Sequence, residues 1–534
     1  MQNSTITTLI SAYFQKIPDP GVASQRVSFG TSGHRGTSIN GSFNQAHIWA
    51  ISQAIVEYRM AAGIFGPLYL GIDTHALSEP AYGSVIEVLV AQGVDVYVHP
   101  EGGFTPTPLI SHAILQHNQH QPDILADGIV ITPSHNPPGD GGIKYNTPNG
   151  GPAASHVTRE IQDRANALLE AGLKNIKRVT LDQAGAAVKP FDFVDLYVSH
   201  LPKAINMEAI ERFGLRIGVD PMGGSSLEVW QAIARRFRID LRIVNTIQDP
   251  TFSFMPLDHD GQIRMDCSSS HAMVNLLDLR NRYDLAVAND PDADRHGIVD
   301  TAGLMNPNHF LAVAVDYLLS HRPEWGPEMA IGKTLVSSSI LDRVVAKHGR
   351  TMFEVPVGFK WFVEGLHQKR LAFAGEESAG ASFLTRSGEP WSTDKDGILL
   401  CLLAAELYAV TGKSPSQYYQ ELTQSLGLPH YKRIDVPATP AERKVLSWLQ
   451  ASHIRSSHLV GEPITDIQVK AAGNVESIGG IKVITQCGWF AARPSGTESI
   501  YKIYAESFVD ESHLGQLVSE ARVIVDEMLS NLVS

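Results

Sequence analysis

Short apolar runs that contain a glycine near their end occur three times along the chain. They lie at residues 68–73, 215–220 and 329–334. A polar turn and a helical pattern follow each run, and the helical patterns cover residues 78–92, 225–237 and 340–347. A second apolar run comes next, at residues 94–98, 241–244 and 352–355. A strand, a helix and another strand in this order predict parallel strands joined by a crossover helix.

The spacing of these units predicts the domain organisation. Their starts are 147 and 114 residues apart, and the last hundred residues do not repeat the pattern. We therefore expect an α/β fold with three related domains built on mixed sheets, followed by a smaller and different α+β domain at the C-terminus. Turns marked by proline predict domains at residues 1–205, 206–323, 324–435 and 436–534.

Length and charge agree with this organisation and exclude some partners. A chain of 534 residues suggests three or four domains of about 150 residues each. Its net charge of −13 argues against broad binding to nucleic acid or to an anionic membrane. A local basic pocket for a phosphorylated metabolite is still compatible with that charge.

The cysteines and the apolar stretches bear on the compartment. Cys267, Cys401 and Cys487 are far apart and form no C-x-x-C pair, so we expect neither a disulfide framework nor a zinc site. This usage fits a reducing cytoplasm. The N-terminus lacks the charged and apolar regions of a signal peptide. The most apolar stretch, residues 398–405, has eight residues, whereas a membrane span needs about twenty.

The first loop with candidate chemistry is T-P-S-H-N-P-P-G-D-G-G-I-K-Y-N at residues 132–146, after the apolar run 128–131. A strand that leads into a loop crowded with proline and glycine presents Ser134 on a stiff backbone. The exposed N–H groups of such a loop can also bind an anion. A surface turn with a capping serine is the alternative interpretation.

The second loop is N-D-P-D-A-D-R-H-G at residues 289–297, after the apolar run 285–288. Three carboxylates at alternate positions can converge on one hard cation. An EF-hand also begins D-x-D-x-D, but here its sixth position is Arg295 and its twelfth is Thr301. A solvated acidic turn is the alternative.

Two further loops suit a sugar phosphate. G-E-E-S-A-G at residues 375–380 offers carboxylates and a hydroxyl to a polyhydroxy ligand, although a helix N-cap explains it equally well. R-P-S-G-T-E-S at residues 493–499 combines a guanidinium, hydroxyls and a glycine, and Lys502 follows it. This combination is typical of an anion site, with a capped turn as the alternative.

Taken together and in this order, the four loops resemble the α-D-phosphohexomutase superfamily, most of all its bacterial α-D-glucose-specific phosphoglucomutases. The resemblance covers essentially the whole chain. It implies four domains around a central cleft, of which the first three share an α/β core. The phosphoserine loop, the metal loop, the sugar loop and the phosphate loop would then belong to the four domains in chain order.

The resemblance also implies the roles of individual residues. Ser134 would be the phosphorylated serine, and Mg²⁺ would be bound by a phosphoserine oxygen with Asp290, Asp292 and Asp294. Further catalytic positions are matched by Arg35, His135, Lys144 and Arg295. Sugar binding would involve Gly358, Glu376, Ser378 and Lys395. The phosphate that does not react would be bound by Arg493, Ser495, Gly496, Thr497 and Lys502.

The implied activity is the reversible conversion of α-D-glucose 1-phosphate into glucose 6-phosphate. It would use a phosphoserine enzyme, Mg²⁺ and glucose 1,6-bisphosphate as intermediate and activator. The metal loop departs from the common D-G-D pattern at Pro291 and Ala293, but its three aspartates are present. The expected partners are small sugar phosphates, without nucleic acid or membrane, in a monomer or homodimer.

Three questions stay open at this point. The base for the attacking hydroxyl is either Lys144 or His135. A sibling enzyme for mannose or glucosamine phosphates is an alternative, but Glu377 fits the glucose-specific pattern better than the Met or Gln of siblings. A non-catalytic sugar-phosphate-binding protein is the other alternative, but it would be expected to lack part of the serine and metal set.

Overall fold

The structure is a computed structural model that describes residues 2–30, 32–495 and 499–532. In this part of the chain the strands form four main sheets and one two-stranded ribbon. The first three sheets contain parallel and antiparallel pairs, whereas all pairs of the fourth sheet are antiparallel. The predicted fold class is therefore confirmed, while the exact domain boundaries stay predictions.

The first unit is a seven-stranded sheet covered by helices. Its strands are β1 (Phe29–Gly30), β2 (Gly33–Gly36), β3 (Leu68–Ile72), β4 (Val96–Val98), β5 (Asp127–Ile131), β6 (Gly141–Asn146) and β7 (Lys189–Pro190). Its helices are α1 (Gln2–Gln15), α2 (Gln45–Ala61), α3 (Ser78–Ala91), α4 (Thr107–His120), α5 (Ser155–Glu170), α6 (Leu181–Ala187) and α7 (Phe193–His200). The strand order is β1-β2-β6-β5-β3-β4-β7, and every residue of β3 and β5 is buried.

The second unit repeats this arrangement on a five-stranded sheet. Its strands are β8 (Arg216–Asp220), β9 (Asp240–Ile243), β10 (Leu285–Ala288), β11 (Gly297–Asp300) and β12 (Gly303–Leu304), in the order β12-β11-β10-β8-β9. Its helices are α8 (Met207–Phe213), α9 (Leu227–Arg236) and α10 (Val274–Leu277). Val229, Trp230 and Ile233 are the buried residues of α9, and their spacing places them on one face of that helix.

The third unit has a four-stranded sheet in the order β14-β13-β15-β16. Its strands are β13 (Ala330–Thr334), β14 (Met352–Val355), β15 (Leu371–Glu376) and β16 (Gly380–Phe383). The helices from here to the end of the unit are α11 (Pro307–His321), α12 (Ile340–Lys347), α13 (Val363–His367), α14 (Gly397–Thr411) and α15 (Pro415–Leu426). Helix α11 packs against α12, α14 and α15.

Helix α14 lies at the centre of the largest hydrophobic core, which its continuous apolar sequence explains. All residues from Gly397 to Leu407 are buried, and the helix packs against strands of the second and third sheets. Among the described helices, no single one is long and apolar enough to cross a membrane. Helices α14 and α15 reach the required length and apolarity only when they are taken together, and a bend of 73° separates them.

The C-terminal unit is built differently. Its strands are β17 (His430–Pro437), β18 (His458–Leu459), β19 (Glu462–Pro463), β20 (Asp466–Lys470), β21 (Ser477–Ile484), β22 (Gly488–Pro494) and β23 (Ile500–Ser507). Its helices are α16 (Pro440–Leu446) and α17 (Glu511–Leu532). The main sheet has the order β17-β23-β22-β21-β20, and α17 covers β22 and β23 with one apolar face.

Candidate active site

The first three candidate loops occupy the same topological position in three different sheets. Each follows a strand that pairs in parallel with the first strand of its repeat, as β5 pairs with β3, β10 with β8 and β15 with β13. Each loop then leads into an antiparallel neighbour, β6, β11 or β16. The carboxyl ends of these central strands thus present the serine loop, the aspartate loop and the G-E-E-S-A-G loop.

Ser134 is held in a conformation that non-glycine residues rarely adopt. Its φ is 61°, and it is 1% exposed. Its backbone N–H donates to Thr132 Oγ1 at 2.8 Å, and its hydroxyl donates to Asp290 Oδ2 at 2.7 Å. A strained backbone is stable only where its surroundings fix it, and such residues cluster at active sites. The serine loop therefore meets the aspartate loop directly, through the oxygen predicted to react.

Asp290, Asp292 and Asp294 converge as the sequence predicts. They are buried, and one carboxylate oxygen of each lies within 4.8 Å of the others. Burial, and then the charges of Asp294 and Asp292, raise the pKa of Asp290 well above its ordinary value. Asp292 Oδ1 and Asp294 Oδ1 are buried without a hydrogen-bond partner among the described residues. Oxygen donors with unused lone pairs are the ligands that Mg²⁺ prefers, so the set fits this ion.

Two lysines from different units neutralise part of this charge. Lys144 Nζ on β6 lies 2.6 Å from Asp292 Oδ2 and 3.1 Å from Asp294 Oδ2. Lys395 Nζ lies 3.1 Å from Asp294 Oδ2 and 3.9 Å from Glu376 Oε2. Burial alone would lower the pKa of Lys144, but Asp292 and Asp294 outweigh it and hold this pKa above its ordinary value. The lysines thus join all three loops around one buried group of charges.

Arg35, His135 and Arg295 lie beside the serine and the aspartates. Arg35 donates to the side-chain oxygen of Asn136, two residues after the serine, at 3.3 Å, and the Arg295 side chain lies 3.8 Å from Asp294 Oδ1. His135 Nδ1 is 3.4 Å from Ser134 Oγ. Burial and the guanidinium groups of Arg295 and Arg35 lower the pKa of His135 well below its ordinary value. The structure therefore brings all five predicted catalytic residues together.

The G-E-E-S-A-G loop holds its first carboxyl group at the edge of this cluster. Glu376 Oε1 accepts a hydrogen bond of 3.1 Å from the N–H of Gly358, whose φ of 128° suits glycine. Burial raises the pKa of Glu376 to about 7, against the opposing effect of Lys395. Ser378 is half-buried in the same loop. The next carbonyl, of Ala379, accepts a hydrogen bond from His296 N at 3.1 Å, which ties this loop to the aspartate loop.

Arg493 and Lys502 face each other on another sheet. They are directly opposite in the antiparallel pair β22–β23, so both side chains emerge on the same face. Arg493 Nε is buried and has no hydrogen-bond partner among the described residues. Ser495 follows β22, while Gly496 and Thr497 lie outside the described residues. Two neighbouring cations on one face favour an anion as ligand, as the R-P-S-G-T sequence predicts.

The C-terminal sheet contacts the third unit. Glu506 accepts a hydrogen bond from Ser339 N at 2.8 Å, and Lys482 Nζ lies 2.9 Å from Glu354 Oε2. Burial, and then the charge of Glu377, raise the pKa of Tyr504 to about 12, while Arg493 opposes this shift. The Tyr504 hydroxyl therefore lies close enough to both Arg493 and Glu377 of the G-E-E-S-A-G loop for their charges to act on it. In the described residues, no hydrogen bond joins Arg493 to the Ser134 cluster.

Sequence reasoning missed two residues that contact this cluster. Thr107 begins α4, and its hydroxyl donates to Asp292 Oδ2 at 2.5 Å while its N–H donates to Asp292 O at 3.0 Å. Asp266 lies 3.9 Å from the Arg295 guanidinium. The T-P-T-P run at residues 105–108, within which α4 begins, is a recognisable helix start, but nothing in it indicates a contact 185 residues away.

Comparison with known proteins gives the same arrangement of domains. Models of the phosphoglucomutase/phosphomannomutase family match in chain order, with α/β/α domain I at residues 26–171 and domain II at residues 195–303. Domain III matches residues 306–426, and the C-terminal domain matches residues 460–523.

Individual relatives span nearly the whole chain. A phosphoglucomutase of Komagataeibacter xylinus is 52% identical over 528 residues, which cover 98% of this chain and 95% of that protein. A phosphoglucosamine mutase of Deinococcus radiodurans is 26% identical over 505 residues, covering 94% and 98%.

Solved structures share the fold. The open form of Paramecium parafusin, a phosphoglucomutase, superposes with a TM-score of 0.73 at 21% identity and covers 95% of each chain. A family protein of Burkholderia thailandensis gives a TM-score of 0.72 at 18% identity, covering 94% of this chain and 98% of the other. With four domain matches in order and a full-length relative at 52% identity, the chain belongs to the phosphoglucomutase/phosphomannomutase family of the α-D-phosphohexomutase superfamily.

Proposed function

We propose that the protein is a phosphoglucomutase that interconverts α-D-glucose 1-phosphate and glucose 6-phosphate through a phosphoserine at Ser134. The observation that carries this proposal is the hydrogen bond from Ser134 Oγ to Asp290 Oδ2 inside a buried group of carboxylates and lysines. The similarity to the Komagataeibacter phosphoglucomutase supports the choice of glucose phosphates.

The proposed reaction has two phosphoryl transfers. In the first, O6 of glucose 1-phosphate attacks the phosphorus on Ser134, so the O6–P bond forms and the Oγ–P bond breaks. The proton of O6 passes to a base and ends on Ser134 Oγ, leaving glucose 1,6-bisphosphate. After the bisphosphate has reversed its orientation, Ser134 Oγ attacks the phosphorus on O1 and the proton returns to O1. Glucose 6-phosphate and the phosphoserine result.

The residues of the cluster would position and neutralise the transferred group. Asp290, Asp292 and Asp294 would hold Mg²⁺ with a phosphoryl oxygen, where the ion would offset the negative charge of the group in transfer. Arg295 and Lys144 add positive charge on the same side. Lys144 and His135 stay the two candidates for the base.

The substrate would lie between this cluster and the C-terminal sheet. Glu376 and Ser378 would bind sugar hydroxyls, with Gly358 and Lys395 beside them. The phosphate that does not react would be bound by Arg493, Ser495, Gly496, Thr497 and Lys502. Because substrate and product carry their phosphates at opposite ends of the sugar, one phosphate site must serve both binding orientations. A guanidinium suits this task, since it binds any phosphate in a bidentate manner.

A coupled assay tests the proposal. Purified protein, Mg²⁺ and a trace of glucose 1,6-bisphosphate are mixed with glucose 1-phosphate, and glucose 6-phosphate is measured with its dehydrogenase. Ser134→Ala, prepared in parallel, controls for contaminating activity. We expect turnover that depends on the bisphosphate. A higher kcat/KM for mannose or glucosamine phosphates would instead indicate a sibling enzyme, and absence of turnover with all of them a binding protein.

A further inference from the structure

The buried carboxylate of Asp73 lies directly behind the serine loop, although no step of the proposed reaction uses it. It follows β3 at the head of the first sequence repeat and is 1% exposed. Its Oδ1 accepts hydrogen bonds from His75 N at 3.0 Å and Ser78 Oγ at 2.6 Å. Its Oδ2 lies 2.8 Å from His75 Nδ1 and accepts from Thr132 Oγ1 at 2.6 Å. The carboxylate therefore makes four hydrogen-bonding contacts with three residues.

Thr132 connects this carboxylate to the backbone of Ser134. A threonine hydroxyl has one proton, and here it is donated to Asp73 Oδ2. The lone pairs of the same oxygen are left to accept, and they receive the N–H of Ser134 at 2.8 Å. Ser134 has a φ of 61°, which a non-glycine residue keeps only if its surroundings stabilise it. The hydrogen bond from Ser134 N fixes this backbone.

The other side of the loop is held by Asp73 together with His75. His75 binds Asp73 through Nδ1, and its Nε2 lies 3.1 Å from the carbonyl oxygen of Asn136. Residues 132 and 136 are thus connected to one buried Asp–His pair on both sides of Ser134. On the opposite side, Thr132 N donates to Gly142 O at 2.9 Å, and a Cβ at Gly142 would lie only 2.2 Å from Thr132 O, so β6 packs against the loop as closely as a glycine allows.

The third repeat uses the equivalent position in the same way. Thr334 ends β13, at the place in the repeat that Asp73 occupies in the first unit, and its hydroxyl donates to Glu377 Oε2 at 2.8 Å. In the second repeat, Asp220 accepts instead from Met222 N at 2.8 Å, while its carbonyl accepts from Asn289 N at 3.2 Å. In the first and third units the side chain of this residue thus braces the loop that follows the neighbouring strand, whereas in the second unit only its backbone carbonyl reaches that loop.

We propose that Asp73 and Thr132 are positioning residues that hold Ser134 Oγ in line for phosphoryl transfer. The inference rests on the proposed phosphoserine role of Ser134. Neither side chain needs to touch the substrate. Since phosphoryl transfer depends chiefly on the position of the attacking and leaving oxygens, loss of this support should slow the transfer more than it weakens sugar binding.

Thr132→Val and Thr132→Ser separate positioning from packing. Valine keeps the shape of threonine but neither accepts from Ser134 N nor donates to Asp73, whereas serine keeps both hydrogen bonds. The readouts are the single-turnover rate of label transfer from ³²P-labelled glucose 1,6-bisphosphate to Ser134, KM and the melting temperature. We expect Thr132→Val to slow the transfer about 10- to 100-fold with KM changed less than about 3-fold, and Thr132→Ser to stay within about 3-fold of wild type.

Asp73→Asn and Asp127→Asn form the matched pair for the carboxylate. Asp127 is fully buried at the start of β5, where it lies 2.9 Å from Arg59 and accepts from Tyr145, and no hydrogen bond in the described residues joins it to residues 132–136 around Ser134. Both substitutions should lower the melting temperature, because each leaves buried donors unpaired. Only Asp73→Asn should also slow transfer to Ser134, again about 10- to 100-fold.

The outcomes separate this inference from the proposed function. If wild-type protein takes no label on Ser134, the phosphoserine route fails and the positioning role fails with it. If wild type is labelled at Ser134 and Thr132→Val is labelled equally fast, only the positioning role is wrong. An equal loss in Thr132→Val and Thr132→Ser, or in Asp73→Asn and Asp127→Asn, would also overturn it, since general destabilisation would then explain the result.

Discussion

The cluster around Ser134 and the cationic site around Arg493 are built in opposite ways. Ser134 and its three aspartates are almost fully buried, and side chains from three units hold them together. Arg493 and Lys502 are half-buried on a separate sheet, whose contacts with the other sheets run to the third unit. The difference suggests a division of labour. Under the proposed function, the first region would fix the reacting atoms in advance, whereas the second would hold either end of a substrate that must reverse.

The largest effect expected from this division is the loss of chemistry without the loss of binding. Ser134→Ala should lower turnover by at least about 1,000-fold, because no oxygen is left to carry the phosphoryl group. Binding of glucose 1-phosphate, measured by calorimetry, should stay within about 3-fold, since Arg493 is unchanged. Ser38→Ala is the control, because Ser38 is buried in the same unit and its hydroxyl donates to Leu9 O, away from the Ser134 cluster. Retention of more than about a thousandth of wild-type turnover would contradict the covalent route.

Arg493→Ala should affect both directions alike. We expect kcat/KM for glucose 1-phosphate and glucose 6-phosphate to fall by similar factors, by about 2–4 kcal/mol each. The ratio of these two kcat/KM values cannot change, because it equals the equilibrium constant between the two sugar phosphates, which no enzyme variant alters. The informative readout is therefore the demand for glucose 1,6-bisphosphate, which should rise as the intermediate escapes more often.

Arg522→Ala is the control for this variant, since Arg522 is exposed on α17 of the same unit. A variant at Arg493 with unchanged bisphosphate demand and unchanged KM for both sugars would place the phosphate site elsewhere.

Asp292→Asn tests the buried region through its metal. The substitution keeps the shape of the side chain but removes a negative charge, so the affinity for Mg²⁺ should fall about 10- to 100-fold. When turnover is measured against Mg²⁺ concentration, the variant should need more Mg²⁺ for half-maximal activity. Excess Mg²⁺ should restore part of the lost turnover. Asp300→Asn is the control, because Asp300 is buried in the same sheet but accepts from Ser416. A wild-type enzyme that is indifferent to EDTA would exclude the metal role.

The smallest expected effect is a pH dependence of stability that comes from Glu376. Burial raises the pKa of this carboxyl group to about 7 in the folded protein. As the pH rises above about 4.5, this carboxyl group loses its proton in the unfolded chain but keeps it in the folded protein. The stability that the protonated group gives the folded protein at low pH is therefore lost progressively until about pH 7. Between pH 5 and 8, Glu376→Gln should lose less free energy of unfolding than wild type, by roughly 2–3 kcal/mol.

Denaturant titrations without sugar phosphate measure this difference. Glu364→Gln, at an exposed carboxyl group on α13, should behave like wild type. Equal pH profiles of Glu376→Gln and wild type would show that Glu376 is not held in the buried, uncharged form.

Local features of these two regions can be predicted from the sequence, whereas contacts between distant residues cannot. The strands and the four loops follow from local patterns, because periodicity, glycines and spaced carboxylates act over a few residues. The contact of Lys144 with Asp292 spans 148 residues, and that of Thr107 with Asp292 spans 185. Such pairs depend on how the sheets pack. The left-handed backbone of Ser134 is equally invisible, since its φ of 61° is fixed by Thr132, Asp73 and β6 and not by its own side chain.

The repeat contains a further signal in its polar residues. Asp73, Asp220 and Thr334 occupy the same place in the three aligned units. Their polar side chains end buried strands, which is costly unless a partner is present. Each therefore indicates a hydrogen-bonded loop nearby, and in the first unit that loop holds Ser134.

The most direct test of the central claim is the site and reactivity of the label from ³²P-labelled glucose 1,6-bisphosphate. The account predicts one phosphoryl group per chain, found by peptide mapping on Ser134 in wild type and absent in Ser134→Ala. Unlabelled glucose 1-phosphate should then remove the label as glucose 1,6-bisphosphate. Label on another residue, or label on Ser134 that glucose 1-phosphate does not remove, would contradict the account.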